Sequence, residues 1–97
     1  MKFSIRLTES AVEDLDFFRK NKRRIISDGI ALFLKQDANV ETTRRKPLRP
    51  NRIAPWELRI ENYRVFYDFE EDDIVKVVAV GHKEHHDLYI RGKKLEL

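Results

Sequence analysis

Two arginines, Arg59 and Arg64, stand on either side of a short polar break, Glu61-Asn62, between the alternating apolar stretches Trp56–Ile60 and Tyr63–Phe69. A two-residue turn at the break sets Ile60 against Tyr63, Arg59 against Arg64 and Glu57 against Phe66. Like charges directly opposite on a sheet destabilise it, so the pair is useful only where an anion bridges it. Phosphate is the natural anion for two guanidinium forks. Glu57 shares the arginines' face by alternation, while Trp56, Leu58 and Ile60 point the other way, into a core. Across a second two-residue turn at Glu71-Asp72, the same counting sets Arg64 against Ala79, with Gly81 and Lys83 following. Small residues at 79 and 81 would floor a shallow groove edged by Glu57, Arg59, Arg64 and Lys83.

All three histidines follow within five positions, in His82-Lys83-Glu84-His85-His86-Asp87-Leu88-Tyr89. Histidine exchanges protons near neutrality, so these residues are candidates for acid-base work; solvated side chains on a polar turn are the plainer alternative. No metal is expected, since catalytic zinc needs three well-spaced ligands and an open position, and no cofactor motif is present. Tyr89 serves either as a packed aromatic with its hydroxyl at the rim or as a partner of substrate.

The elements that must position these groups follow from periodicity. Phe3, Ile5 and Leu7 alternate with polar residues as in a half-buried strand. Thr8 or Ser10 can cap a helix in which Ala11, Leu15 and Phe18 share one face with Val12 beside them. That helix is expected to run about four turns into the Arg19–Arg24 patch, where cations suit a negative helix end. A second helix puts Ile26, Ile30, Phe33 and Leu34 on one stripe, widened by Ile25 and Leu32. Residues 39–55, with Pro47, Pro50 and Pro55, read as an extended basic loop. Strands over 56–60, 63–69 and 74–80 complete an antiparallel meander. The fold class is therefore α+β: an N-terminal strand, a two-helix hairpin, then a three-stranded meander forming one sheet with both helices packed on one face.

The chain has 97 residues, 20 Lys+Arg against 17 Asp+Glu, and no cysteine. One domain spanning 1–97 is expected, without disulfides, a thiol nucleophile or a deep enclosed pocket. No apolar run is long enough to cross a membrane, and the charged N-terminus lacks the core of a signal peptide, so a cytoplasmic home is expected. Five cations occupy the six positions 19–24, and Arg44, Arg45, Lys46, Arg49 and Arg52 fall within nine. Such patches meet polyanions. Arg23, Arg24, Arg44, Arg45, Lys46, Arg49 and Arg52 are the candidate RNA-docking residues, against the alternative of solvated helix ends and loops.

The run from Trp56-Glu57-Leu58-Arg59 through Tyr63-Arg64-Val65-Phe66-Tyr67, then Val80-Gly81-His82-Lys83 and Asp87-Leu88-Tyr89, resembles the RelE/ParE superfamily of toxins. The resemblance covers nearly the whole chain in length and element order. It implies a toxin of a toxin-antitoxin pair, bound by a cognate antitoxin in a hetero-oligomer. In the RelE-like branch, it implies a metal-independent endoribonuclease that cuts mRNA in the ribosomal A site through 2′-hydroxyl attack, leaving a 2′,3′-cyclic phosphate. Arg64 matches that branch's phosphate-clamping arginine and Tyr89 its nucleotide-orienting tyrosine; Lys83 and Arg59 keep only the charge of their counterparts. Glu57 departs, standing where the best-known members have lysine. The assignment that follows is Glu57 as base, Arg64 with Arg59 and Lys83 as clamp, and His85 or Lys83 as acid, His85 preferred. The alternatives are ParE-like inhibition of DNA gyrase without nuclease activity, or an inactive member that only binds antitoxin.

Overall fold

The structure is a computed structural model describing all residues 1–97. Strand β1 (Ser4–Leu7) leads to helices α1 (Glu9–Asp16) and α2 (Lys20–Leu34), then strands β2 (Arg45–Pro47), β3 (Trp56–Ile60), β4 (Tyr63–Glu70), β5 (Ile74–Glu84), β6 (Asp87–Ile90) and β7 (Lys93–Leu95). The α+β architecture holds, with one sheet of seven strands rather than four. Its order is β2-β3-β4-β5-β6-β7, and β1 pairs in parallel with the first half of β5. No helix is long and apolar enough to cross a membrane.

Both helices cover one face. Ala11, Phe18, Ile26, Ile30 and Leu34 pack on Leu58, Ile60, Tyr63, Val65, Tyr67, Val75, Val77 and Val80. At Gly29 the helix comes so close to the sheet that a Cβ there would lie 2.4 Å from Ile60 Cδ1. Ile25 and Leu32, expected to widen the apolar stripe, instead face solvent at 37% and 72% exposure.

The first helix is half the expected length. Thr8 caps it, its hydroxyl accepting from the Ala11 amide at 3.1 Å, and it ends where Phe18 turns inward, edge-on to Tyr63 and His82. The cationic patch therefore opens α2 instead of closing α1. Arg19 is the N-cap, with extended backbone and no capping hydrogen bond, and the first turn of α2 holds no acid. Cations at the positive end of a helix are unfavourable. Arg19→Asp is accordingly expected to stabilise the protein by about 1 kcal/mol, raising the melting temperature by roughly 4–8 °C. An unchanged melting temperature would show that α2 gains nothing from a cap.

The 39–55 segment is more ordered than an extended loop. It contributes β2, and beyond it Asn51 closes a compact turn: Oδ1 accepts from the Ile53 and Ala54 amides, while Nδ2 donates to the Arg49 and Ala54 carbonyls. This turn lays Leu48, Ile53 and Ala54 against Phe66, Val78, Ala79, Leu88, Ile90 and Leu95. The sheet face away from the helices is thus a second, smaller core with a charged margin, not an open groove.

Candidate functional site

The β3–β4 hairpin has the register that its two-residue turn demands: Ile60 pairs with Tyr63, Arg59 with Arg64, and Glu57 with Phe66. Glu61 accepts a left-handed φ of 53° in that turn. The β4–β5 register differs from expectation. Its turn has three residues, Glu71 to Asp73, and a bulge interrupts pairing at Phe66/Tyr67, so Arg64 faces Gly81 and Phe66 faces Ala79. Two one-residue shifts add to two, which preserves side-chain parity. Glu57, Arg59, Arg64, Ala79, Gly81 and Lys83 consequently share a face, and Lys46 joins them opposite Glu57.

The anion between the arginines is supplied by the chain itself. Glu57 Oε2 accepts from Arg59 Nε at 2.9 Å, and Glu57 Oε1 lies 3.7 Å from Arg64 Nε. The Glu57 side chain is 3% exposed, against 47% for Arg59 and 15% for Arg64. Arg64 Nη1 donates to the carbonyls of Glu61 and Tyr63, which pins the guanidinium to the hairpin turn. Burial pushes the Arg64 pKa down, Glu57 pulls it back up, and Arg59 adds a smaller downward push. A carboxylate buried between two cations is a structural counter-ion. Its Oε2 is taken by Arg59, whereas Oε1 accepts no hydrogen bond.

The remaining site residues are scattered. Lys83 is two positions along β5 from Gly81, about 7 Å at the usual strand rise. His85 is exposed in the two-residue β5–β6 turn, where it and His86 adopt left-handed φ values of 51° and 73°. It lies about 13 Å along the strand direction from the residue opposite Arg64, too far to protonate a group held there. Tyr89 pairs with His82 and stacks on its ring, with centroids 5.5 Å apart, on the helix-covered face. It therefore points away from the arginines. Gly81 does not open a groove, because its missing Cβ makes room for the Tyr89 carbonyl and the Ile90 side chain.

The docking residues divide. Arg45 is committed to the fold, its guanidinium donating to the Phe33 and Val40 carbonyls, and Arg23 donates to the Phe18 carbonyl at the helix junction. Arg44 stacks over the Phe33 ring at 4.8 Å, and Lys46 is 3.7 Å from Glu41. Arg24, Arg49 and Arg52 are exposed. One buried charged residue escaped the sequence reading. Asp14, 1% exposed, accepts from the Val80 amide and pairs with Arg91 Nε at 2.8 Å. Its place three residues after Ala11, on the apolar stripe of α1, was the available signal.

Residues 5–86 match the family described as ParE toxin of type II toxin-antitoxin system, parDE. The chain belongs to this family. This ParE-family toxin has the RelE/ParE superfamily fold, as two solved structures also indicate. One is the toxin-antitoxin complex RelBE2 from Mycobacterium tuberculosis, with TM-score 0.69 and 21% identity over 86% of this chain and 100% of that one. The other is the archaeal RelE-RelB complex from Pyrococcus horikoshii, with TM-score 0.66 and 16% identity over 88% and 99%. No curated protein matches the toxin's sequence.

Proposed function

We propose that this toxin acts by binding its target, inhibiting DNA gyrase in the cytoplasm as a ParE-like protein, rather than by cutting mRNA, and that a cognate antitoxin holds it inactive. The observation that carries this is the Glu57 carboxylate, which fills the space between Arg59 and Arg64 where a scissile phosphate would have to sit. A phosphodiester there would meet a largely buried negative charge already engaged by Arg59. Both solved neighbours are complexes with antitoxins, which supports an antitoxin partner.

Ribosome-dependent mRNA cleavage is favoured by one observation, the half-exposed Arg59 on the same face as Arg64, Lys46 and Lys83. On that reading Arg24, Arg49 and Arg52, with Arg44 and Lys46, would hold ribosomal RNA.

Purified toxin added in parallel to gyrase with relaxed plasmid and to translating ribosomes is expected to lower supercoiling and leave mRNA intact. A-site cleavage that disappears in Arg64→Ala and Glu57→Ala would establish the nuclease instead. Inertness in both assays, with antitoxin binding retained, would mark a member that only binds antitoxin.

A further inference from the structure

We propose, resting on the binding-toxin reading above, that the sheet face away from the helices carries a docking site for an acidic, apolar segment of the target protein, centred on Arg52 and Lys76. The largest concavity of the molecule, about 430 Å³, opens there between the 48–55 loop and strands β4 and β5. Leu48, Ile53 and Val78 form its apolar wall, and Arg52, Asp68 and Lys76 supply its charged groups. The loop side is set before any partner arrives. Pro50 and Pro55 restrict the backbone, Asn51 spends both ends of its side chain on the loop itself, and the Leu48 amide donates to the Pro55 carbonyl at 2.8 Å. A surface already in its bound shape has less ordering entropy to lose on binding. The strand side is aimed by the bulge. Phe66 pairs with Ala79 and Tyr67 with Val77, which leaves Val78 as the extra residue of β5. It lies with Ala79 against the second core while remaining part-exposed to the cavity.

The cations of this cavity have no partners within the chain. Asp68 and Lys76 face each other across β4 and β5, a position in which opposite charges attract, yet they form no ion pair. Asp68 Oδ1 turns back to accept from the Phe69 amide at 2.7 Å, and Glu70, two residues further along β4, is held by Nε and Nη2 of Arg6. Neither Arg52 nor Lys76 has an ion-pair partner. Two unpaired cations beside an aliphatic wall suit a partner that brings carboxylates and apolar side chains together. Nucleic acid fits less well, because the wall offers no aromatic face on which a base could stack and Asp68 repels a phosphate. A peptide meets all three features. Its carboxylates reach Arg52 and Lys76, an apolar side chain covers Leu48, Ile53 and Val78, and its backbone N–H groups can donate to Asp68 Oδ2, which accepts no hydrogen bond within the toxin.

Two capped hexapeptides, Glu-Leu-Glu-Glu-Leu-Glu and Lys-Leu-Lys-Lys-Leu-Lys, titrated into the isotope-labelled full chain test the site by NMR. The acidic peptide is expected to shift the Ile53, Lys76 and Val78 amides saturably and to bind at least tenfold more tightly than the basic one. Arg52→Glu combined with Lys76→Gln is expected to weaken it at least tenfold. Equal affinity for both peptides, or shifts confined to other residues, overturns the proposal. The same double variant is expected to need at least tenfold more protein to inhibit gyrase supercoiling while keeping antitoxin affinity within twofold of wild type. Unchanged inhibition by the folded double variant, or antitoxin binding lost with inhibition intact, overturns the assignment to the target. Should the double variant not fold, Arg52→Glu alone, at an exposed loop residue, takes its place and is expected to weaken the acidic peptide and gyrase inhibition about threefold, no change in either overturning the proposal. If wild type leaves gyrase untouched, the gyrase reading fails by itself, and the peptide titration still upholds or overturns the site, so the two failures are distinguishable.

Discussion

Gly81→Ala is expected to destabilise the protein by about 3 kcal/mol, the upper end of the usual range for overpacking. Backbone torsion is not the cause, because Gly81 is absent from the positive-φ residues. The cause is steric. A Cβ at this position would lie 2.4 Å from the Tyr89 carbonyl oxygen, 2.9 Å from Ile90 Cγ1 and 3.3 Å from Leu88 Cδ1. A side chain can rotate away, whereas a strand carbonyl cannot, so β6 must separate from β5. That separation also draws Arg91, in the β6–β7 turn, away from Asp14. Urea denaturation would measure the loss, and amide exchange should accelerate first in β6 and β7. A Gly81→Ala midpoint matching wild type would mean that the β5–β6 approach is looser than it stands here.

Asp14→Ala should cost nearly as much, also about 3 kcal/mol. β5 is paired by β1 over Ile74–Val77 and by β6 over His82–Glu84, which leaves the residues between without a strand on that side. Asp14 fills this gap: Oδ2 accepts from the Val80 amide at 3.1 Å, and Oδ1 meets Arg91 Nε at 2.8 Å. Alanine orphans a buried amide and frees the hairpin turn. Asn would keep the acceptor for Val80 while removing the buried charge, so Asp14→Asn should be milder.

The pH dependence separates the two contributions. Burial raises the Asp14 carboxyl above its ordinary value, opposed by the Val80 amide and Arg91. A folded-state pKa above the unfolded one means that the protonated form favours folding. The contribution of Asp14 is therefore fully present below the ordinary carboxylate pKa and is lost as pH rises through the raised value. Asp37 and Glu70 have the opposite sign. Asp37 is lowered by the N-terminal amine and Glu70 by Arg6, so their contributions are lost as pH falls. These two are common to wild type and Asp14→Asn and cancel in the difference. The melting temperature of wild type minus that of Asp14→Asn is expected to fall as pH rises from about 3.5 to 7, around the carboxylate range. A rising difference would show that Arg91 and Val80 outweigh burial.

The parts of the fold legible in the sequence were those governed by local counting. The β3–β4 register follows from a two-residue turn, and the helix-facing set Leu58, Ile60, Tyr63, Val65 and Tyr67 from strand alternation. The β4–β5 register was not legible, because the acidic run Glu70–Asp73 does not announce a three-residue turn and nothing near Val78 announces a bulge. The break after Asp16 was hidden as well. The apolar spacing of Ala11, Leu15 and Phe18 suits a longer helix, and only the pull of Tyr63 and His82 on Phe18 explains the early end. Tyr89 was grouped with the arginines by the family resemblance, whereas pairing with His82 sets it on the other face.

By itself the sequence determined that Glu57, Arg59 and Arg64 lie on one face of one sheet, since side-chain parity is a property of the strand and a two-residue turn sets their register; Lys83 joins them only because the longer turn and the bulge each shift β5 by one residue. The sequence also determined that two facing arginines require an anion. Which anion was decided by the tertiary structure alone. Burial by the second core and the anchoring of Arg64 to its own turn bring the Glu57 carboxylate between the guanidinium groups. Rotamer and burial depend on every neighbour at once, and no spacing along a chain encodes them.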